Sequence, residues 1–208
     1  MAYPTVSAPY GLVPVNRVDG MPYAGATRQL PIASTYNTAI FDGDIVAIAA
    51  GGTIVKSTVT VNSTAAAANY TAGVFVGVQY VNTQGQTVQA QYYPGNAAAS
   101  SAIAYVVDDP LALFKVAVTA SGSNAITTVN QSAIGTNMSV RQGTGNTTTG
   151  DSQVSVYATN AQGNAAALPV RVIAVVPETA SSAGAYTEVL VKINNHQYNV
   201  AAALDYTA

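Results

Sequence analysis

Two carboxylate pairs stand out as possible chemistry: Asp42-Gly43-Asp44 and Asp108-Asp109-Pro110. Neighbouring carboxylates can divide acid and base roles between them or ligate calcium through their oxygens. Asp and Gly also favour turns, and Pro110 cannot donate to a strand ladder, so each pair reads more simply as a strand-end turn. The one imidazole, His196, lies in Asn194-Asn195-His196-Gln197 after a predicted strand. A Ser or Thr hydroxyl could approach it in space, but a nucleophilic triad needs a nucleophile elbow and an orienting acid, and the sequence displays no such elbow. A histidine hydrogen-bonded within a turn is the simpler reading. The stretch 143–150, with Gly143, Gly145 and Gly150 among threonines, has the glycine content of a phosphate-cradling loop without the lysine or the strand-to-helix context. Zero cysteines and one histidine exclude disulfides, thiolate zinc sites, iron–sulfur ligation and paired-histidine metal sites. No catalytic residue, cofactor-binding residue or metal ligand is assigned, and the expectation is a structural protein that is not an enzyme and needs no cofactor.

The elements that would have to position any site come from a chain of 208 residues, long enough for one well-buried domain. Hydrophobic types make up 49% and charged types only 8%, against roughly 25% charged in an ordinary soluble domain. Ala, Thr, Ser, Asn, Gln and Gly replace the missing charge. A net charge of −2 offers no basic field for a row of phosphates, which argues against direct nucleic-acid binding. Polar residues interrupt every apolar run before the ~18 residues of a membrane span, so no membrane partner is expected. The start Met1-Ala2-Tyr3-Pro4 lacks the basic and apolar regions of a secretory signal, which predicts synthesis in a cytoplasm.

Residues 1–40 carry Pro4, Pro9, Pro14, Pro22 and Pro31 with Gly11, Gly20 and Gly25 between them. That density excludes a regular helix and discourages central strands, so the segment reads as an extended N-terminal arm. Tyr10, Arg17, Tyr23 and Arg28 are its candidate contact residues, because Tyr and Arg anchor interfaces once desolvated. The arm could equally pack along its own domain, which also buries tyrosines. Residues 41–208 change texture to short β-branched runs between turn residues, predicting strands at 45–50, 53–61, 73–81, 87–93, 103–107, 113–119, 138–142, 153–159, 170–176 and 187–194. Polar and apolar residues exchange along Gln153–Tyr157 and Glu188–Ile193, the pattern of half-buried antiparallel strands. Residues 130–134 and 200–204 could each make one helical turn. The predicted fold is an all-β antiparallel barrel or sandwich.

Several segments in order resemble the head decoration, or cement, proteins of tailed bacteriophages. They are Gly11-Leu12-Val13-Pro14-Val15, the run from Asp19 to Arg28, Phe41-Asp42-Gly43-Asp44-Ile45-Val46, Gly73-Val74-Phe75-Val76-Gly77, Tyr92-Tyr93-Pro94-Gly95, Ala104 to Pro110, and Ile193-Asn194-Asn195-His196-Gln197. The resemblance implies a β-rich virion protein that binds the major capsid protein on the outer surface of the head, at capsomer junctions, as a trimer before a dimer. The alternative is an adhesive or receptor-binding, fibre-type virion module whose Thr/Asn/Gln surface hydrogen-bonds glycans.

Overall fold

The computed structural model describes residues 6–58, 71–96, 99–120, 123–158, 168–179 and 185–198. The fold is all-β, with two sheets, each carrying its own apolar core. Strands β1 (Val13–Arg17) and β2 (Arg28–Pro31) come from the proline-rich segment; β3 (Ile45–Ile48), β4 (Ile54–Lys56), β5 (Gly73–Val81), β6 (Thr87–Ala90), β7 (Ser100–Val107) and β8 (Ala112–Thr119) follow. After a 3-10 turn at Gln131–Ala133 come β9 (Asn137–Met138), β10 (Val140–Arg141), β11 (Ser155–Tyr157), β12 (Val170–Val175) and β13 (Glu188–Ile193). Each predicted strand has an observed counterpart, and the turn expected at 130–134 is the 3-10 turn. The turn expected at 200–204 lies outside the described residues.

The first sheet runs β10-β11-β8-β13-β12-β9, with β1 also on β8. Its two end strands are neighbours in sequence. Met138 pairs with Val170 on β12, and two residues later Val140 pairs with Val156 on β11. The segment 137–141 therefore carries the sheet around onto itself, and full closure is the arrangement that removes exposed edges. Ladders are antiparallel except β11 on β8. Val116, Val118, Val140, Val156, Val170, Val172, Val189 and Val191 fill the interior at no exposure, the β-branched filling expected of a small barrel. The second sheet runs β2-β7-β5-β3-β4, with β6 on β5, and a bridge from Ile32 to Ile54 links its two ends.

Alternation along β5 suggests that either Val74, Val76 and Val78 or Phe75 face inward; in the structure Val74, Phe75 and Val78 are all buried and Val76 is half-buried. Val74 joins the core of the first sheet and Phe75 that of the second, so β5 separates two cores. The ladder to β7 slips between Phe75 and Gly77. One extra residue shifts the two-residue period, and Val78 thereby turns to the same core as Phe75. A bulge between Val172 and Ala174 does the same on β12, where the first core receives Val170 and Val172 but then Val175.

The N-terminal segment is extended, but it is built into the domain. β1 lies antiparallel on β8 and β2 on β7, while Leu12 is fully buried in the first core and Ile32 in the second. Strands were not expected here because of the prolines. Pro14 and Pro31 are accommodated because both sit on edge strands, where a missing N–H costs no ladder bond.

Candidate functional site

The four candidate contact residues fall into two groups. Arg17 Nε reaches Asp109 Oδ2 at 3.0 Å and its Nη2 reaches Asp19 at 3.2 Å, while Arg28 Nε reaches Asp108 Oδ2 at 2.6 Å. Both arginines thus converge on the Asp108-Asp109 turn between β7 and β8, which the register of β1 and β2 places beside them. Asp109 Oδ1 also accepts from the Leu111 backbone at 2.8 Å, so the pair is a turn as its composition suggested. Tyr10 lies elsewhere. Its hydroxyl donates to Glu188 Oε1, Lys115 Nζ sits 3.2 Å from the same oxygen, and the ammonium lies 5.7 Å from the Tyr10 ring centroid. Burial, then the Glu188 hydrogen bond and charge, hold the phenol above its ordinary pKa. Tyr23 is half-buried against the first core, with its hydroxyl 3.4 Å from the Ala26 carbonyl. These residues fasten the segment to its own domain.

Between them lies an exposed apolar run that the search for Tyr and Arg passed over. Val13 is 41% exposed, Val15 42%, Val18 45% and Met21 56%. Leu111, itself exposed, adjoins them through the Val18 N–H, which donates to its carbonyl at 2.9 Å. The signal was present in the apolar residues at 13, 15, 18 and 21, but the prolines around them directed the reading to backbone. No family model, curated protein or solved structure matches this chain.

The Asp42-Gly43-Asp44 turn is buried structure. Asp44 is fully buried; Oδ2 accepts from the Phe41 N–H at 2.9 Å and pairs with Lys56 Nζ at 2.8 Å, and Oδ1 accepts from Ser152 Oγ at 2.6 Å. Around it Gly43 donates to Phe75 O, Leu12 donates to Gly43 O, and Ser152 donates to Asp42 O. One turn thus ties the N-terminal segment, β5 and the 150–152 segment together. Gly43 has φ +86°, and a Cβ there would fall 2.9 Å from the Gly11 Cα, so chain crossing and backbone conformation both demand glycine.

Asp42 is half-buried in a parallel bridge with Asp151. Burial first, then the Asp151 and Asp44 charges, raise its pKa to about 6, against the lowering effect of the Gly43 backbone hydrogen bond. A carboxyl raised in the folded state stabilises below its ordinary pKa, and that contribution is lost as pH rises to about 6 and beyond. Asp42→Asn should therefore raise stability at pH 7 by about 1–2 kcal/mol, less than the ~3 kcal/mol of two pKa units because water screens a half-exposed group. Urea titrations of both proteins at pH 4 and pH 7 check this, the gain being expected at pH 7 only.

An open groove of about 680 Å³ is lined by residues including Val129, Asn130, Ser132, Thr136 and Met138. Its polar groups are engaged locally: Asn130 Oδ1 accepts from the Ser132 N–H at 3.0 Å, and Thr136 Oγ1 donates to Ala133 O at 2.6 Å. Among the described residues no group of three or more His, Cys, Asp or Glu could hold a metal ion. His196 Nδ1 accepts from the Tyr198 N–H at 3.2 Å within a turn.

Proposed function

We propose that this chain is a capsid decoration protein: a structural, non-enzymatic virion component that binds the major capsid protein on the outer surface of a tailed-phage head and stabilises capsomer junctions, as a homotrimer. The observation that carries this reading is the exposed apolar run Val13, Val15, Val18, Met21 and Leu111 beside arginines already neutralised by Asp19, Asp108 and Asp109. A protein that holds a shell without chemistry needs contact area that costs little to desolvate, and charges paired within their own chain meet that need. The sheet that wraps onto itself supplies a rigid platform with few edges to recruit wrong partners. The resemblance of the Gly11–Val15, Asp19–Arg28 and Phe41–Val46 segments to head decoration proteins supports the same reading.

Antibody against this chain, applied to tailed-phage particles in negative stain, should label the whole head. Label confined to the tail would instead support the adhesive module. Binding resting on apolar contact should also resist salt: occupancy on heads should change less than about twofold between 0.1 M and 1 M sodium chloride, where the Debye length shrinks from ~10 to ~3 Å. Dissociation at 1 M would make ion pairs the basis of the contact.

A further inference from the structure

His196 is the single histidine of the chain and is buried at 1% exposure. Because Nδ1 accepts from the Tyr198 N–H, the ring proton sits on Nε2. The Tyr198 ring lies 5.3 Å from the imidazole, tilted by 53°, and the Arg28 guanidinium lies 5.2 Å from the Tyr198 ring centroid. Arg28 is held by Asp108. A stack His196–Tyr198–Arg28–Asp108 thus clasps the 196–198 segment to β2 and to the β7–β8 turn. The residues just before Tyr198 are anchored independently: Gln197 exchanges side-chain hydrogen bonds with both backbone groups of Ile48, and its N–H donates to Thr71 O.

We propose that His196 is a proton-operated release for this clasp: adding a proton to Nδ1 removes the acceptor of the Tyr198 N–H and sets one N–H against another, so Tyr198 disengages while Gln197 holds. The charged groups whose fields reach the imidazole are Asp108 and Asp109 from the β7–β8 turn and Lys192 from β13, and the Tyr198 ring lies beside it with Arg28 on that ring. Burial is the largest influence and disfavours the cation, as does Lys192; Asp108, Asp109 and the Ala72 backbone favour it, and the net direction is below the ordinary histidine value. A histidine lowered in the folded state stabilises above its ordinary pKa, ~6.5, and that contribution is lost as pH falls through the folded value. The clasp is therefore closed at neutral pH and opens in acid.

A lone histidine makes the test clean. Carbon-13 imidazole shifts of the full chain, titrated from pH 8 to pH 4.5, should show the Nε2–H tautomer and a midpoint below 6.5. Over the same range the hydrogen-exchange protection factor of the Tyr198 amide should fall, by at most about tenfold per pH unit for one proton, while that of Gln197 stays constant. Asp109→Asn should move both the imidazole midpoint and the Tyr198 transition to lower pH, and Lys192→Gln should move both to higher pH. The two variants shift in opposite senses, so failure of either to fold leaves the other decisive. A midpoint at or above 6.5, an Nδ1–H tautomer, or Tyr198 protection that ignores the histidine titration would overturn the proposal.

Discussion

Phe75→Ala should cost ~3–5 kcal/mol, the usual penalty for truncating a fully buried aromatic ring. The ring has no exposure and packs in the second core, whose members include Ile40, Val46, Tyr93 and Val106. Its backbone is fixed too, since the Phe75 N–H donates to Asp44 O and its carbonyl accepts from Gly43. Val74→Ala, on the other face of the same strand, removes two methyl groups from the first core and should cost less. Because β5 contributes to both cores, urea unfolding should remain one transition for each variant, with its midpoint lowered. A midpoint unchanged by Phe75→Ala would mean that the second core does not bear on stability. Two separated transitions would mean that the sheets unfold independently.

Asp44→Ala should be of similar size, about 3–5 kcal/mol, because it removes one partner of a buried ion pair and leaves the other charge uncompensated. Among the described residues Lys56 Nζ would keep only the Gly143 carbonyl at 3.3 Å and the face of Phe41, while the Ser152 hydroxyl and the Phe41 N–H would lose the Asp44 acceptor. Arg17→Gln offers the contrast. Its pairs with Asp19 and Asp109 are about one-third exposed, and exposed pairs are worth about 0–1 kcal/mol. Thermal melts of the two variants side by side should separate them clearly; equal losses would show that burial is not what makes the Asp44 pair matter.

The β-strands from 45 onward were legible because β-branched runs and turn residues mark them whatever their neighbours do. β13 announces itself through the alternation of Val189, Val191 and Ile193 with Glu188 and Lys192. What the sequence could not convey was phase and closure. Val78 faces the same core as Phe75 because of a bulge, and a bulge is fixed by the partner strand as much as by its own residues. The wrap of 137–141 onto both β11 and β12 is likewise a tertiary fact. In the N-terminal segment the prolines announced extended backbone but concealed edge strands, so Val13, Val15, Val18 and Met21 received less weight than Tyr10 and Arg17. Asp44 with Lys56 was within reach of a hairpin argument, since pairing β3 with β4 sets Lys56 opposite Val46, two residues from Asp44.

The most direct test of the decoration reading is co-sedimentation of the purified chain with undecorated tailed-phage heads, run with the full chain and with a Val15→Asp, Met21→Asp double variant. Both substitutions fall on exposed side chains, so folding should survive them, which a matching melting temperature verifies. The expected result is saturable retention of the full chain at a fixed ratio to capsomers and retention at least tenfold weaker for the double variant, the factor that ~1.4 kcal/mol of lost contact produces. Heads that pellet without the full chain at saturating concentration would contradict the proposed function. Equal retention of chain and variant would remove the β1 surface from it.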